Sequence, residues 1–268
     1  MKKFLAGALL SVSALTLAAC GDDDSSKLVV GASNTPHAVI LEEVKPILEE
    51  QGIELVIESY QDYVLPNKDL ESGELDANYF QHIPYLEDQI ATFGYDFVNA
   101  GGIHIEPIGL YSKKYSSVDE LPEGATILMS NSVSDHGRVL AMLESEGLIT
   151  LAEGVDKTTA EISDIVDNPK NLEFDPNYEP ALMVQLYEND EGDALLINSN
   201  YAIDAGLNPI EDSIAIENSD SPYVNIIATK AGKEKDKNIK ALVDALHSQE
   251  IQDFIQNEWG GTIVPVNK

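Results

Sequence analysis

The strongest constraint on the fold is the alternation of short apolar strands with amphipathic helices after residue 26. Leu28-Val29-Val30 reads as a strand. Ser33-Asn34-Thr35-Pro36 supplies cap and first-turn residues for a helix to Gln51, in which Val39, Ile40, Val44, Ile47 and Leu48 keep helical spacing and Gly52 ends the run. Residues 54–60 return as a strand around Leu55-Val56-Ile57, and 63–67 lead into a short helix ending at Ser72. Such a βαβαβ run predicts a mostly parallel sheet in an α/β domain. Its third strand lies in Gly73-Glu74-Leu75-Asp76-Ala77-Asn78-Tyr79-Phe80-Gln81-His82, and Ile83-Pro84-Tyr85 then opens a helix, since proline suits a first helical turn. A strand end passing through polar and aromatic residues into a helix start is where open α/β sheets place ligands. The plainer alternative is a strand edge whose aromatics only pack.

Further along, a helix over 84–93 stops at Gly94, and a long extended segment covers 98–111. Pro107 within it marks an edge or a crossing between domains, because proline cannot donate to a ladder. The βα pattern then restarts: strand 125–129, helix 138–146 closed by Gly147, strand 195–198. Within the less patterned stretch 150–193 a strand is expected at 172–174 and a helix at 181–187. A second extended segment covers 221–228. Helices at 238–248 and 251–259 follow, the last ended by Gly260-Gly261, with the single tryptophan, Trp259, as a packing residue. The pattern by itself allows either two lobes or one large doubly wound sheet.

Residues 1–19 read as a secretory leader: Lys2 and Lys3, a short apolar run from Phe4 to Leu17, then small residues before Cys20. Cys20 is the sole cysteine, so no intrachain disulfide can form. The leader carries two lysines and no acid, so the chain beyond it stands at −33, against −31 for the whole. A surface so acidic is repelled by nucleic acid and by anionic headgroups, which excludes nucleic acid as a partner. Residues 20–26 are polar and charged and read as a tether.

Among 16 basic residues there is one arginine, Arg138. Its planar fork can grip a carboxylate at two points, which lysine cannot do. Ser134-Asp135-His136-Gly137 leads into its helix, and free N–H groups at a helix start favour an anion. The alternative is an ordinary exposed arginine on a helix face. The expectation is a solvated guanidinium waiting in an open cleft, with little role in the stability of the free protein.

From Glu74 to His82, and through Pro36-His37-Ala38, Asp62-Tyr63-Val64, Glu106-Pro107-Ile108-Gly109-Leu110-Tyr111, Ile197-Asn198-Ser199-Asn200-Tyr201-Ala202 and Ser221-Pro222-Tyr223, the chain resembles the methionine-binding lipoproteins of bacterial ABC importers, the NlpA/MetQ family. The resemblance spans about residues 27–268. It implies a two-lobed periplasmic-binding-protein-like fold of type II, two α/β lobes joined by two crossover strands, with 27–108 plus 225–268 as one lobe and 109–224 as the other. It implies that Tyr63, Phe80 and His82 hold the ligand side chain, that Arg138 pairs with the ligand carboxylate, and that Asn200 and Asn225 bond the α-carboxylate and α-amino group. It implies a lipid on Cys20 with cleavage before it, attachment to the extracytoplasmic face of the membrane, and an ABC permease with its ATPase as partners. A monomer without cofactor or metal is expected.

One departure from the family pattern is local. Where the family reads close to Asn-Asp-Pro-Thr-Asn before the glycine and arginine, this chain reads Asn131-Ser132-Val133-Ser134-Asp135-His136. That widens the expected ligands to a methionine-containing dipeptide or another amino acid. A zinc-type site from His37, His82, His104 and Glu106 is the rival reading, set back by the lack of a tight spacing motif. A hydrolase is disfavoured, because no nucleophile elbow, no His-Glu-x-x-His and no further thiol are present.

Overall fold

The computed structural model describes residues 26–266, so the expected leader, Cys20 and nearly all of the tether lie outside the described residues. The chain begins with β1 (Lys27–Ser33), a single π-type turn over Asn34–Ala38 and α1 (Val39–Glu49). Next come β2 (Glu54–Tyr60), α2 (Leu65–Ser72), β3 (Ala77–His82), α3 (Ile83–Phe93) and β4 (Phe97–Ile105). A second series holds β5 (Gly109–Tyr111), β6 (Thr126–Ser130), α4 (Val133–Ser145), β7 (Thr150–Leu151), β8 (Ile165–Asp167) and β9 (Glu173–Tyr178). It closes with α5 (Met183–Glu188), β10 (Ala194–Ile197), α6 (Ser199–Asp204) and β11 (Ser213–Ile216). The chain ends in β12 (Val224–Lys230), α7 (Lys237–Leu246), α8 (Gln249–Trp259) and β13 (Val264–Pro265).

Two main sheets result, ordered β13-β4-β12-β3-β1-β2 and β11-β5-β10-β6-β9. The expected βαβαβ unit is present, with β1 parallel to both β2 and β3. The sheets are mixed rather than mostly parallel. In the first, β12 runs antiparallel to β3 and β4; in the second, β5 runs antiparallel to β10 and β11. The reason is topological: a strand entering from the other lobe arrives without a helical crossover to reverse it, so it adds antiparallel.

Each sheet has its own apolar core. One packs α1, α7 and α8 through Ile40, Leu41, Leu48, Leu242 and Ile255 onto Val30, Leu55 and Ile227. The other packs α4 through Val139, Leu140 and Leu143 onto Leu110, Ile127 and Leu196. Trp259 packs edge-on to Phe254 against the first core. The chain leaves the first sheet through Glu106-Pro107-Ile108 and returns through residues 217–223. Pro107 therefore sits in a crossing. The two crossings are tied to each other, since Glu217 N–H donates to Ile108 O at 2.9 Å and Ile108 N–H donates to Glu217 Oε2 at 3.2 Å. We propose lobe limits at 108/109 and 224/225, at or beside these crossings.

Candidate ligand-binding site

The strand β3 is buried along its whole length, between β1 and β12. Its register against β12 slips: Tyr79 faces Ile227 and Gln81 faces Ile226, leaving Phe80 as an extra residue. A bulge of this kind re-aims side chains and is common beside functional sites. Here it brings Gln81 to the side of Asn78, whose Oδ1 accepts from Gln81 Nε2 at 2.8 Å. Both amides also donate to Asn67 Oδ1 at 2.9 Å, so a fully buried amide cluster is satisfied internally and holds the strand end rigid. Phe80 and His82 line a cavity between the lobes.

The cavity has an aromatic end. Tyr63 lies 6.1 Å from Phe80, 6.1 Å from Tyr85 and 5.1 Å from Tyr201, centroid to centroid. Tyr63 and Tyr201 also bridge the cleft: Tyr63 OH donates to Asn200 Oδ1 at 2.6 Å, and Tyr201 OH donates to Gln61 O at 3.2 Å. His82 Nδ1 accepts the Tyr85 N–H at 3.1 Å and so caps α3. That fixes its proton on Nε2, which donates to Asp135 Oδ1 at 3.0 Å across the cleft.

The opposite end is charged. The helix α4 starts at Val133, so Asp135 lies in its first turn and Arg138 one turn on. The anion near this helix start is the protein's own: Asp135 accepts from His82 and, at 3.2 Å, from Asn198. Burial on its own would raise the Asp135 carboxyl, but the His82 hydrogen bond, the Arg138 charge and the Asn198 hydrogen bond hold it well below the usual carboxylate range. Arg138 is 4 % exposed. Its Nε donates to Glu217 Oε2 at 2.9 Å, and its Nη2 donates to the same oxygen and to Glu106 O. Its Nη1 lies 3.5 Å from Asp135, and the Tyr223 ring stacks 4.6 Å away. The expectation of a solvated arginine is overturned: Arg138 clasps both interlobe crossings through Glu106 and Glu217.

At the cavity wall, Glu106 Oε1 accepts from His104 Nε2 at 2.8 Å and lies 3.1 Å from His37 Nε2. His37 Nε2 is also 3.0 Å from Asn225 Oδ1, and Tyr79 OH bonds His104 Nδ1. Burial lowers the His37 pKa to about 4 and that of His104 to about 3, so both imidazoles are neutral. Three members of the rival metal set thus converge, with donor atoms within 4.8 Å of one another. His82 does not join them. Tetrahedral zinc ligands at about 2.0–2.1 Å stand about 3.3 Å apart. The His104–Glu106 separation of 2.8 Å is instead that of an N–H···O hydrogen bond.

A family model described as NlpA lipoprotein matches residues 28–267. The chain belongs to that family. It is 49% identical over 275 residues to the methionine-binding lipoprotein MetQ of Bacillus subtilis, covering 100% of both chains. It is similar to a crystal structure of a pheromone precursor/lipoprotein from Enterococcus faecalis, with TM-score 0.88 and 57% identity over 90% of this chain and 100% of that one. A nutrient binding protein from Burkholderia cenocepacia bound to methionine matches with TM-score 0.83 and 38% identity, over 89% and 99% of the two chains.

In this NlpA lipoprotein all six residues expected at the site, Tyr63, Phe80, His82, Arg138, Asn200 and Asn225, line the one cavity. The sequence reading left out Tyr85, Glu106 as a cavity residue, Asp135 and Asn198, which line it too. Tyr85 had a signal, lying three residues after His82 at a helix start. Asn198 had none, since its place depends on how β10 meets α4. His136, the other novelty of the altered segment, turns its Nε2 to Ser130 O at 2.8 Å and does not line the cavity.

Proposed function

We propose that this NlpA lipoprotein is an extracytoplasmic substrate-binding protein that captures L-methionine, or a close relative, for an ABC permease and its ATPase. The observation that carries this is one cavity with opposed chemistries: aromatic rings at one end and charged and amide groups at the other. In this reading Tyr63, Phe80 and His82 take the thioether, which is polarizable and gains roughly 0.3–1.5 kcal/mol per aromatic contact. Arg138, through its Nη1 edge, and Asn200 take the carboxylate, and Asn225 takes the amino group. The names of the relatives support the ligand, and those from Salmonella name D-methionine, so both enantiomers belong in the test.

We also infer binding without catalysis, a monomer, and a lipid on Cys20. Among the described residues no helix is long and apolar enough to cross a membrane. The acidic chain is repelled by anionic headgroups, so in this reading acyl chains on Cys20 hold it at the membrane, and two or more of them give stable anchoring. Cys20→Ala should shift the protein to the soluble fraction or block processing; equal membrane retention after a salt wash would rule out the anchor.

The central test is calorimetry on ligand-stripped protein. L-methionine should bind about tenfold or more tightly than its sulfoxide, because oxidation makes the thioether end polar in a ring-lined pocket. No preference, or no binding of methionine in either enantiomer, would move the ligand to another class.

A further inference from the structure

Away from the cleft, the chain concentrates its lysines. Residues 230–240 hold five of them, Lys230, Lys233, Lys235, Lys237 and Lys240, against two acids, Glu234 and Asp236, in a chain at −33 beyond its leader. The fold adds Lys27 to this group. The start of β1, the end of β12 and the start of α7 form a groove lined by Lys27, Lys230, Lys233 and Lys237, with Asp76 and Asp236. Lys230 donates to Glu71 O at 2.6 Å. Among the described residues no ion pair or side-chain hydrogen bond holds Lys27, Lys233 or Lys237, and all three are exposed. The two acids of the groove accept from backbone N–H groups instead: Asp76 Oδ2 from Val29 at 2.7 Å, Asp236 Oδ1 from Asn238 at 2.9 Å. Lys237 is the first residue of α7, where its charge adds to the positive end of the helix dipole. Local folding therefore disfavours a cation at that position.

We propose that this lysine face is a docking surface for the anionic phospholipid headgroups of the membrane that holds the Cys20 anchor. The chain preceding the structure ends on the face itself: Lys27 lies seven residues after Cys20, a span of at most about 23–25 Å. That tether holds Asp22, Asp23 and Asp24 and no cation, so electrostatic attraction to the bilayer falls to the face. Screening makes the contact local. The Debye length is about 8 Å at physiological ionic strength, so acids elsewhere on the surface count little once the lysines touch. The face also sits opposite the ligand cavity. β3 and β12 carry His82 and Asn225 at their cavity ends, and Asp76 and Lys230 at or beside the other ends, about 17 Å away. A bilayer under the lysines therefore leaves the cavity end pointing outward, to the side from which ligand arrives.

In the experiment the chain from Cys20 onward is coupled through that sole thiol to a maleimide lipid, in vesicles of phosphatidylcholine alone or mixed with phosphatidylglycerol. Acylation of each lysine is then read by mass spectrometry. On the anionic vesicles Lys233 and Lys237 should label about fivefold or more slowly than on the neutral ones, the factor for one lysine held near an anionic surface. Lys113 and Lys157, which belong to the other lobe, should label alike on both, and high salt should erase the difference. Lys27→Gln with Lys233→Gln should remove most of the protection of Lys237; full protection in that variant would overturn the proposal. Equal labelling on the two kinds of vesicle would overturn it without any variant, and so would equal slowing at Lys113. Soluble polyphosphate protecting the lysines on neutral vesicles, with no protection by anionic lipid, would assign the face to a free polyanion and also overturn it. The proposal rests on the lipid reading of Cys20, and the two fail separately. The maleimide supplies the anchor here, so equal labelling counts against the face alone, whereas membrane retention of Cys20→Ala counts against the native lipid alone.

Discussion

Arg138→Ala is expected to lower both the stability of the free protein and its affinity for ligand. The side chain holds Glu217, the Glu106 carbonyl and the Tyr223 ring, and its removal leaves Glu217 and Asp135 without their cation. Breaking a buried pair from one side costs about 3–5 kcal/mol. For a chain of this size that is a fall in Tm of about 6–20 °C. If the ligand carboxylate also meets the guanidinium, affinity falls by about 30- to 5,000-fold. Arg138→Lys should restore part of each, because charge returns without the fork. Glu217→Gln separates the two roles. It weakens the clasp but keeps the arginine and removes a competing negative charge, so the free protein is destabilised while carboxylate affinity holds or rises. Arg138→Ala with unchanged Tm would contradict the clasp; an affinity loss under about threefold, measured on folded variant, would contradict the carboxylate contact.

Gly137→Ala is the second large effect, and its sign is the point. Within a helix alanine is favoured over glycine by about 0.8–1.0 kcal/mol, so the sequence alone predicts a gain. In the structure a Cβ at Gly137 would stand 2.5 Å from Lys157 O and 2.6 Å from both the Thr158 carbonyl carbon and its oxygen. These are backbone atoms, and they cannot swing aside as the end of a side chain can. The Thr158 carbonyl also accepts from Tyr223 OH, and Tyr223 stacks on Arg138, so the strain passes into the clasp. Overpacking of this kind costs about 1–3 kcal/mol. Thermal unfolding should show a Tm lower by about 2–12 °C, with ligand affinity reduced as well. A Tm at or above wild type would mean that the 157–158 loop yields freely.

The expected strands and helices match the structure where apolar spacing was regular. β1, α1, β2, α7 and α8 lie close to the places the apolar spacing gave them, with Val30, Ile40, Leu55 and Leu242 buried, although Val39, on the same expected stripe of α1, is exposed. Where the period was broken, prediction fell short. Helix α4 was expected from residue 138 but starts at Val133, because the polar Ser134-Asp135-His136 run hides a helical turn whose Asp135 is buried by a partner on the other lobe. β11 was not foreseen, and neither were β7 and β8, two- and three-residue strands that pair only with each other. Such short elements have too few residues to display a pattern, and pairing alone defines them.

Residue type and local spacing by themselves determined the α/β character, singled out Arg138 as the one arginine, and marked Pro107 as an edge or a crossing. The six residues expected at the site came from the family resemblance, which rests on motifs that a linear chain displays. Charge partnership was decided only in three dimensions. Nothing in the order of residues says that Arg138 would be claimed by Glu217, 79 positions away, or that His37 and His104 would meet on Glu106. Nor does it say that one extra residue, Phe80, would turn Gln81 toward Asn78. The physical reason is common to all three. Hydrophobic periodicity is a local, averaged signal, whereas the state of a buried charge depends on single atoms 3 Å away, brought there by a fold that joins distant segments.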